Sequence, residues 1–384
     1  MRLIKIFQYR IFPLAFLVVL LLPFINVYIP IFELKESKEN RVLAEIPKFD
    51  IEHLDPFPDA YEEYYNDHFT FRNNFTSYYN YIRFKLNINP KPKKVVLGKE
   101  NWMFNNNLYL PNLRLRTQYD KEELQQFADE LNNRNQFLKE HNCDFYIGII
   151  PSKVSVYYDK LKESQYNAGQ DTIMSRAEQL VNYLNKTSDI KITYLKDSLL
   201  AYKSQFLLYK QYDHHWNLLG GFIASKSMLG IIQQDYPSKD MTISLDEYNV
   251  NYELKSGGDL AQLLGIQEYC LEEHPKLVLK NKNEHPKHIS ENSLIVPEEF
   301  AYGWGYEIRK TTNNVNRLNC MVIRDSYGSY LKDFLSRGFN NTLFLWDQWR
   351  YTLNKEIFLK EEPDVLIIMI PETALHKFIT KPTN

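Results

Sequence analysis

The sequence predicts an α/β layered fold with a mostly parallel sheet, preceded by one membrane-crossing helix. Three observations carry this. From Val95 onward, short apolar runs ("DFYIGII", "IKITYL", "LNCMVI", "DVLIIMI") alternate with longer stretches of helical period, as strands joined by crossover helices require. Two of these runs, "LNCMVI" and "DVLIIMI", are apolar at all but one position, the pattern of strands covered on both faces. Finally, residues 11–32, between Arg10 and Glu33, contain no charged side chain.

Taken in chain order, "IFPLAFLVVLLLPFINVYIPIF" comes first. At ~1.5 Å per residue it just spans a hydrocarbon core of ~30 Å. Pro13, Pro23 and Pro30 are tolerated in such a helix. No small-x-small cleavage pattern follows, so it reads as an uncleaved signal anchor. Arg2, Lys5 and Arg10 before it balance Lys35, Lys38 and Arg41 after it. The short N-terminal tail then decides the orientation: N-terminus inside, remainder exported. The charged "ELKESKENRVLAEIPKFD" is expected to be a stalk. Beyond it, Tyr61, Tyr64, Tyr65, Phe71, Phe75, Tyr78 and Tyr79 form aromatic helical stripes, which "NPKPKK" ends as a linker. Leu124, Phe127, Leu131 and Leu138 share a helical face before the first strand, and Ala177, Leu180, Val181 and Leu184 share another before "IKITYL". "NLLGGFIASKSMLGII" is helical despite its paired glycines.

Composition bounds the function. The 384 residues are 44% hydrophobic and 15% aromatic, enough for a sizeable core, and the net charge of −2 offers no basic patch for nucleic acid. Cys143, Cys270 and Cys320 allow at most one disulfide, and Cys143 and Cys320 lie in or beside apolar strands as inert thiols.

Two motifs carry chemistry. In "LNCMVIRDSYGSYLKDFL" an apolar strand runs into Arg324-Asp325-Ser326 and then into a helical period. Ser326 therefore sits at a strand-to-helix turn, where unpaired backbone N–H groups can hold an oxyanion. Alternatively, Ser326 or Asp325 is only a helix cap. In "YDHHWN" an extended backbone would point Asp213 and His215 to the same side and His214 away. Asp213 would fix the tautomer of His215, whose other nitrogen takes a serine proton. Trp216 would wedge the loop and Asn217 cap the next helix. A metal site from Asp213, His214 and His215 and a purely structural loop are the competing readings. Neighbouring residues chelate one ion poorly, and no H-E-x-x-H or cysteine pair accompanies them, so no metal and no cofactor is expected. Ser329 lies one turn too far on, and Asp259, after Gly257-Gly258, reads as a helix cap.

"DHHW" followed about a hundred residues later by "RDSYG" resembles the DHHW group of SGNH-hydrolase-like proteins, related to the alginate O-acetyltransferases of bacterial exopolysaccharide systems. "ENRVLAEIP", "YYNDHFTFRNNF", "GKENWMF", "IIPSKVSVY", "GGDLAQLLG" and "EPDVLIIMIPETAL" resemble further family blocks in the same order. The resemblance implies a circularly permuted SGNH-hydrolase-like fold with Asp213, His215 and Ser326 as its triad. With the anchor and stalk read from the residues, the chain divides into three segments: an anchor at 1–32, a stalk and aromatic helical arm at 33–94, and, as the resemblance implies, an SGNH-like catalytic domain at 95–384. The resemblance also implies an extracytoplasmic O-acetyltransferase that moves an acetyl group through an acyl-serine to a polysaccharide hydroxyl. The acetyl would come from a membrane-bound O-acyltransferase partner. A glycan esterase with the same triad and a non-catalytic polysaccharide-binding scaffold are the alternatives. Arg350, Tyr327 and Lys153 are carried over as substrate- or oxyanion-facing residues, Lys153 at the pocket rim. Tyr327 stands where related blocks often have Phe.

Overall fold

The computed structural model describes residues 7–35, 43–51, 54–90, 94–106, 118–165, 174–289, 294–298, 300, 303–347 and 350–379. Parts of the expected stalk and of the "NPKPKK" linker lie outside them. Its centre is a seven-stranded sheet in the order β4-β3-β11-β9-β10-β8-β7. These strands are β3 (Asp144–Ile150), β4 (Lys191–Tyr194), β7 (Lys287–Ile289), β8 (Glu307–Thr311), β9 (Cys320–Arg324), β10 (Asn341–Trp346) and β11 (Val365–Pro371). From β4 to β10 neighbouring strands run parallel, while β8 and β7 pair antiparallel at one edge. The sheet is thus mostly parallel, as expected, but mixed.

The apolar strands are buried on both faces because alternate residues feed two cores. Tyr146, Val322, Ile367 and Met369 join one core with Phe222, Met228, Leu229 and Ile232 of α6 (Leu218–Asp235). Phe145, Ile147, Ile323 and Ile368 join the other with Phe127 and Leu131 of α4 (Lys121–Glu140), Leu180 and Leu184 of α5 (Arg176–Thr187), and Phe358 of α7 (Lys355–Glu361). The helices begin where their sequences dictate. Asp120 with Glu123 and Ser175 with Glu178 form capping boxes, and Asn217 Oδ1 accepts from the N–H groups of Leu219 and Gly220. All three cysteines are buried free thiols.

The paired glycines of α6 have a packing reason. A Cβ on Gly220 would crowd the Leu208 carbonyl oxygen, and one on Gly221 would collide with the Tyr330 carbonyl. Tyr330 closes the turn that begins at Ser326, so α6 lies backbone to backbone against that turn. Gly221→Ala should therefore cost about 1–3 kcal/mol in a denaturant titration, because the obstacle is main chain and cannot rotate away. Gly230, in the same helix, has nothing within 4 Å of its would-be Cβ. Gly230→Ala should gain up to about 1 kcal/mol.

Two smaller sheets flank the body. β1 (Val95–Leu97) and β2 (Met103–Asn105) form a short hairpin, and β5 (Tyr248–Ser256) pairs with β6 (Leu271–Leu279) along nine residues. At the N-terminus, Tyr9–Tyr28 is the one described helix long and apolar enough to cross a membrane; its regular part is α1 (Phe12–Tyr28). The aromatic arm forms α2 (Pro56–His68) and α3 (Arg72–Lys85).

Candidate active site

Parallel strands that end together put their following loops on one edge of the sheet. Three of those loops meet here. After β9 the chain makes a 3₁₀ turn, Ser326–Tyr330. Asp325 is its cap: Oδ1 accepts from the Tyr327 N–H at 2.9 Å. Capping thus belongs to Asp325, and the Ser326 hydroxyl is left for another partner. That partner is His215, whose Nε2 lies 2.7 Å from Ser326 Oγ. His215 Nδ1 lies 2.8 Å from Asp213 Oδ1. An ionised carboxylate only accepts, so Nδ1 carries the ring proton and Nε2 accepts from the serine. Asp213 and His215 are buried, whereas Ser326 is half-exposed.

The loop reaches this geometry differently from an extended strand. Asp213 Oδ1 also accepts from the His215 backbone N–H at 2.9 Å, folding the segment into a tight turn. His214 accordingly does not face away. Its ring lies 3.9 Å from that of His215, centre to centre. Burial, followed by the field of His215, lowers its pKa to about 3 and keeps it neutral. Trp216 is the expected wedge: fully buried, it donates Nε1–H to the Tyr327 carbonyl at 3.0 Å. Tyr327 is buried and donates its hydroxyl to the His214 carbonyl at 2.9 Å. These two bonds lock the histidine loop to the serine turn in both directions.

Lys153 does not line the rim. It is buried, and its Nζ donates to the carbonyls of Met103, Gln211 and Asp213 at 2.7, 2.7 and 2.9 Å. An ammonium has three donors, and three carbonyls take them. Trp102 and Phe104 place their rings 4.9 and 5.2 Å from the same nitrogen. Burial lowers its pKa to about 7, against the pull of Glu272 and Asp213. The β1–β2 hairpin and Lys153 together hold the loop that carries Asp213. Arg350 is exposed in a turn after β10, with its backbone N–H on Asp347 Oδ1. Ser329 is exposed too. Glu372, at the end of β11, accepts from the Ser152 N–H at 2.8 Å and from the Ser155 hydroxyl at 2.5 Å, tying the "IIPSKVSVY" loop to the last strand.

Lys210 was not singled out from sequence, and Asp259 was singled out only as a cap. Lys210 Nζ is 2.8 Å from Asp213 Oδ2 and 2.5 Å from the Tyr330 hydroxyl. Burial pulls the Lys210 pKa down, but the Asp213 carboxylate and Tyr330 more than offset this and hold it above the usual lysine value. Asp213 is held well below the usual carboxylate range: His215 and Lys210 overcome the opposing effect of burial. Asp259 is not a cap; Gly258 is, and Asp259 opens the next turn with Oδ2 3.5–3.6 Å from the Nδ1 atoms of both histidines. Gly258 has to be glycine, because a Cβ there would strike the Asp213 carboxylate.

Asp213, His214, His215 and Asp259 bring ligand-type atoms within 4.8 Å of one another. The set does not suit a cation. Both ring nitrogens of His215 are engaged by Asp213 and Ser326, and the Lys210 ammonium already occupies the second oxygen of Asp213.

A family profile described as "SGNH hydrolase-like domain, acetyltransferase AlgX" matches residues 95–297, more than half of the chain. Among solved structures, Bacillus cereus PatB1 superposes with a TM-score of 0.52 at 20% identity, covering 75% of this chain and 99% of that one. PatB1 has also been solved with a sulfonyl adduct. A DHHW family protein from Eubacterium siraeum gives a TM-score of 0.51 at 14% identity, covering 75% of this chain and 92% of that one. At these identities the likeness is one of fold. Among curated proteins, none matches the chain by sequence.

Proposed function

Because the chain belongs to the AlgX-type acetyltransferase family of SGNH-hydrolase-like domains, we propose that it transfers an acetyl group to a hydroxyl of a polysaccharide through an acyl-serine. The observation that carries this is the unbroken chain Ser326 Oγ, His215 Nε2, His215 Nδ1, Asp213 Oδ1, with bonds of 2.7 and 2.8 Å. Ser326 Oγ attacks the acetyl carbonyl while His215 Nε2 takes the hydroxyl proton. As the tetrahedral intermediate collapses, His215 returns that proton to the departing oxygen of the donor. A sugar hydroxyl then attacks the acetyl-serine, giving its proton to His215, and Ser326 leaves with that proton restored. Asp213 stabilises the imidazolium in both halves and stays ionised. Asp325 takes the Tyr327 N–H, so the N–H of Ser326 itself, at the start of its turn, is the oxyanion donor of this reading.

The apolar Tyr9–Tyr28 helix is the membrane anchor in this proposal, with the α/β domain on the extracytoplasmic side. A membrane-bound O-acyltransferase would supply the acetyl group there. The sulfonyl adduct of PatB1 supports a sulfonyl-reactive nucleophile in this fold, and Ser326 is the residue we assign to that role here.

Lys210 is a positioning residue: it never touches the reacting atoms but fixes the second oxygen of Asp213. Lys210→Met should lower kcat by on the order of 10²-fold through misplacement of His215. It should also destabilise the fold by about 3–5 kcal/mol, since one charge of a buried pair is left alone. A kcat loss with an unchanged KM, beside a lowered denaturation midpoint, is the expected pair of results.

The test is product analysis. The full chain in detergent is mixed with an activated acetyl ester and an acetyl-free oligosaccharide. Acetylated sugar in excess over free acetate supports transfer. Free acetate alone makes the protein an esterase, and no turnover of any kind leaves a polysaccharide-binding scaffold.

A further inference from the structure

α3 carries apolar side chains on two faces. Its inward face buries Phe84 in a core with Leu260 and Leu264 and, beside it, Ser77 and Asn80, with Ser77 Oγ donating to the Gly265 carbonyl and Asn80 Nδ2 to the Leu264 carbonyl. Its outward face is apolar. Phe75, Tyr78, Tyr79, Ile82 and Leu86 fall at helical spacing and are 44–63% exposed. Tyr65, Phe69 and Phe75 continue this surface through ring contacts with centroids 5.9 and 6.3 Å apart.

The place of this stripe says what covers it. The first turn of α3 clamps the chain just after α1: Asn74 Oδ1 accepts from the Lys35 N–H at 3.1 Å, Asn74 Nδ2 donates to the Glu33 carbonyl at 3.0 Å, and Asn73 Nδ2 donates to the Lys35 carbonyl at 2.9 Å. The Phe71 ring packs edge-on against Phe32. Phe75 belongs both to the stripe and to the wall of a cleft of about 770 Å³ beside Leu22 of α1. The stripe thus starts at the point where the apolar helix ends. Its composition, tyrosine with phenylalanine, isoleucine and leucine, suits the boundary between headgroups and acyl chains. Arg83 sits on its edge, bonded to the Tyr79 hydroxyl at 3.1 Å, and Lys85 follows; both fit lipid phosphates.

We propose that the outward face of α3 is a membrane-docking surface, seated in the headgroup region of the bilayer and held parallel to it by the clamp at Glu33–Lys35. This rests on reading Tyr9–Tyr28 as the anchor. Docking there fixes the orientation of the α/β domain, because the inward face of α3 bonds to Leu264 and Gly265, a few residues beyond Asp259 at the site.

The native cysteines are buried, so a single introduced cysteine on the full chain can be labelled with bimane. The labels go on Tyr78→Cys, Ile82→Cys, Leu17→Cys in the apolar helix and Val315→Cys in an exposed turn at the opposite end of β9 from Ser326. The protein is reconstituted in vesicles of phosphatidylcholine and phosphatidylglycerol carrying a nitroxide either on the headgroup or deep in the chain. Labels at 78 and 82 should lose most of their fluorescence to the headgroup nitroxide, while the label at 315 keeps its own. If 78 and 82 stay as bright as 315, the proposal is overturned, whatever the label at 17 does. Bright labels that are also shielded from aqueous iodide would mean that a second copy of the chain covers the face, which overturns it equally. Quenching at 78 and 82 with none at 17 from the deep nitroxide would discard the anchor reading and leave the docking surface standing.

Discussion

Ser326→Ala is expected to lower turnover of an activated acetyl ester by on the order of 10⁶-fold while leaving the fold nearly as stable as before. The size follows from its place in the chain of bonds. Without Oγ there is no atom to carry the acetyl group, and His215 has no proton to take. The small stability change follows from exposure. Ser326 is half-exposed and makes one side-chain hydrogen bond, to His215, so its loss costs about 1 kcal/mol. Stopped turnover with an unchanged denaturation midpoint therefore separates a missing nucleophile from a damaged fold. A Ser326→Ala protein that turns over at the parent rate would remove Ser326 from the mechanism.

Asp213→Asn should cost on the order of 10⁴ in rate, and here the structure adds a stability penalty that the sequence did not disclose. Asp213 Oδ1 accepts from the backbone and ring N–H groups of His215, and Oδ2 accepts from Lys210. An asparagine offers one acceptor in place of two. With its oxygen toward His215, its NH₂ group confronts the Lys210 ammonium, donor against donor. Turned the other way, the NH₂ group faces His215, which must shed its Nδ1 proton and carry it on Nε2, the atom that has to accept from Ser326. Either arrangement breaks a buried ion pair, at about 3–5 kcal/mol. The two effects can be separated with Lys210→Met added to Asp213→Asn. That double variant removes the orphaned charge and should recover much of the stability, whereas the rate stays low. Recovery of both together would mean that Asp213 acts only through folding.

Much of this site was legible because its signals are local. A strand ending in Asp325-Ser326 can be read from the apolar run before it, and the Asp213–His215 pairing from their two-residue spacing. The reason given for that pairing was incorrect in detail. A tight turn closed by Asp213 Oδ1, and not an extended backbone, brings the two side chains together, which is why the His214 ring lies beside that of His215. Lys210 was missed, and Lys153 was misplaced at the rim, for a general reason. A lysine in a sequence reads as solvated surface, and only the folded chain shows carbonyls and a carboxylate converging on its nitrogen. For Lys210 a signal existed in "FLLYKQY", where the lysine interrupts an apolar stretch. Asp259, after Gly257-Gly258, was read as a helix cap, whereas the cap is Gly258, which is small to admit the Asp213 carboxylate.

The fold divided along similar lines. β3, β9 and β11, buried on both faces, were plain as apolar runs, and α4 and α5 as amphipathic periods. The β5–β6 hairpin escaped because its strands are rich in polar side chains, leave much of both surfaces to solvent, and are joined by the long segment that carries Asp259. The exposed apolar face of α3 also escaped. Its aromatic period was visible, but period alone does not say which face turns inward.

The most direct test of the central claim is intact-mass spectrometry with peptide mapping on the full chain. The protein is quenched in acid after brief exposure to an activated acetyl ester, and a second sample is chased with oligosaccharide before quenching. The account predicts one acetyl adduct, on Ser326, absent from Ser326→Ala and discharged by the chase onto sugar. An adduct that maps to another residue and is discharged equally well in Ser326→Ala would contradict it.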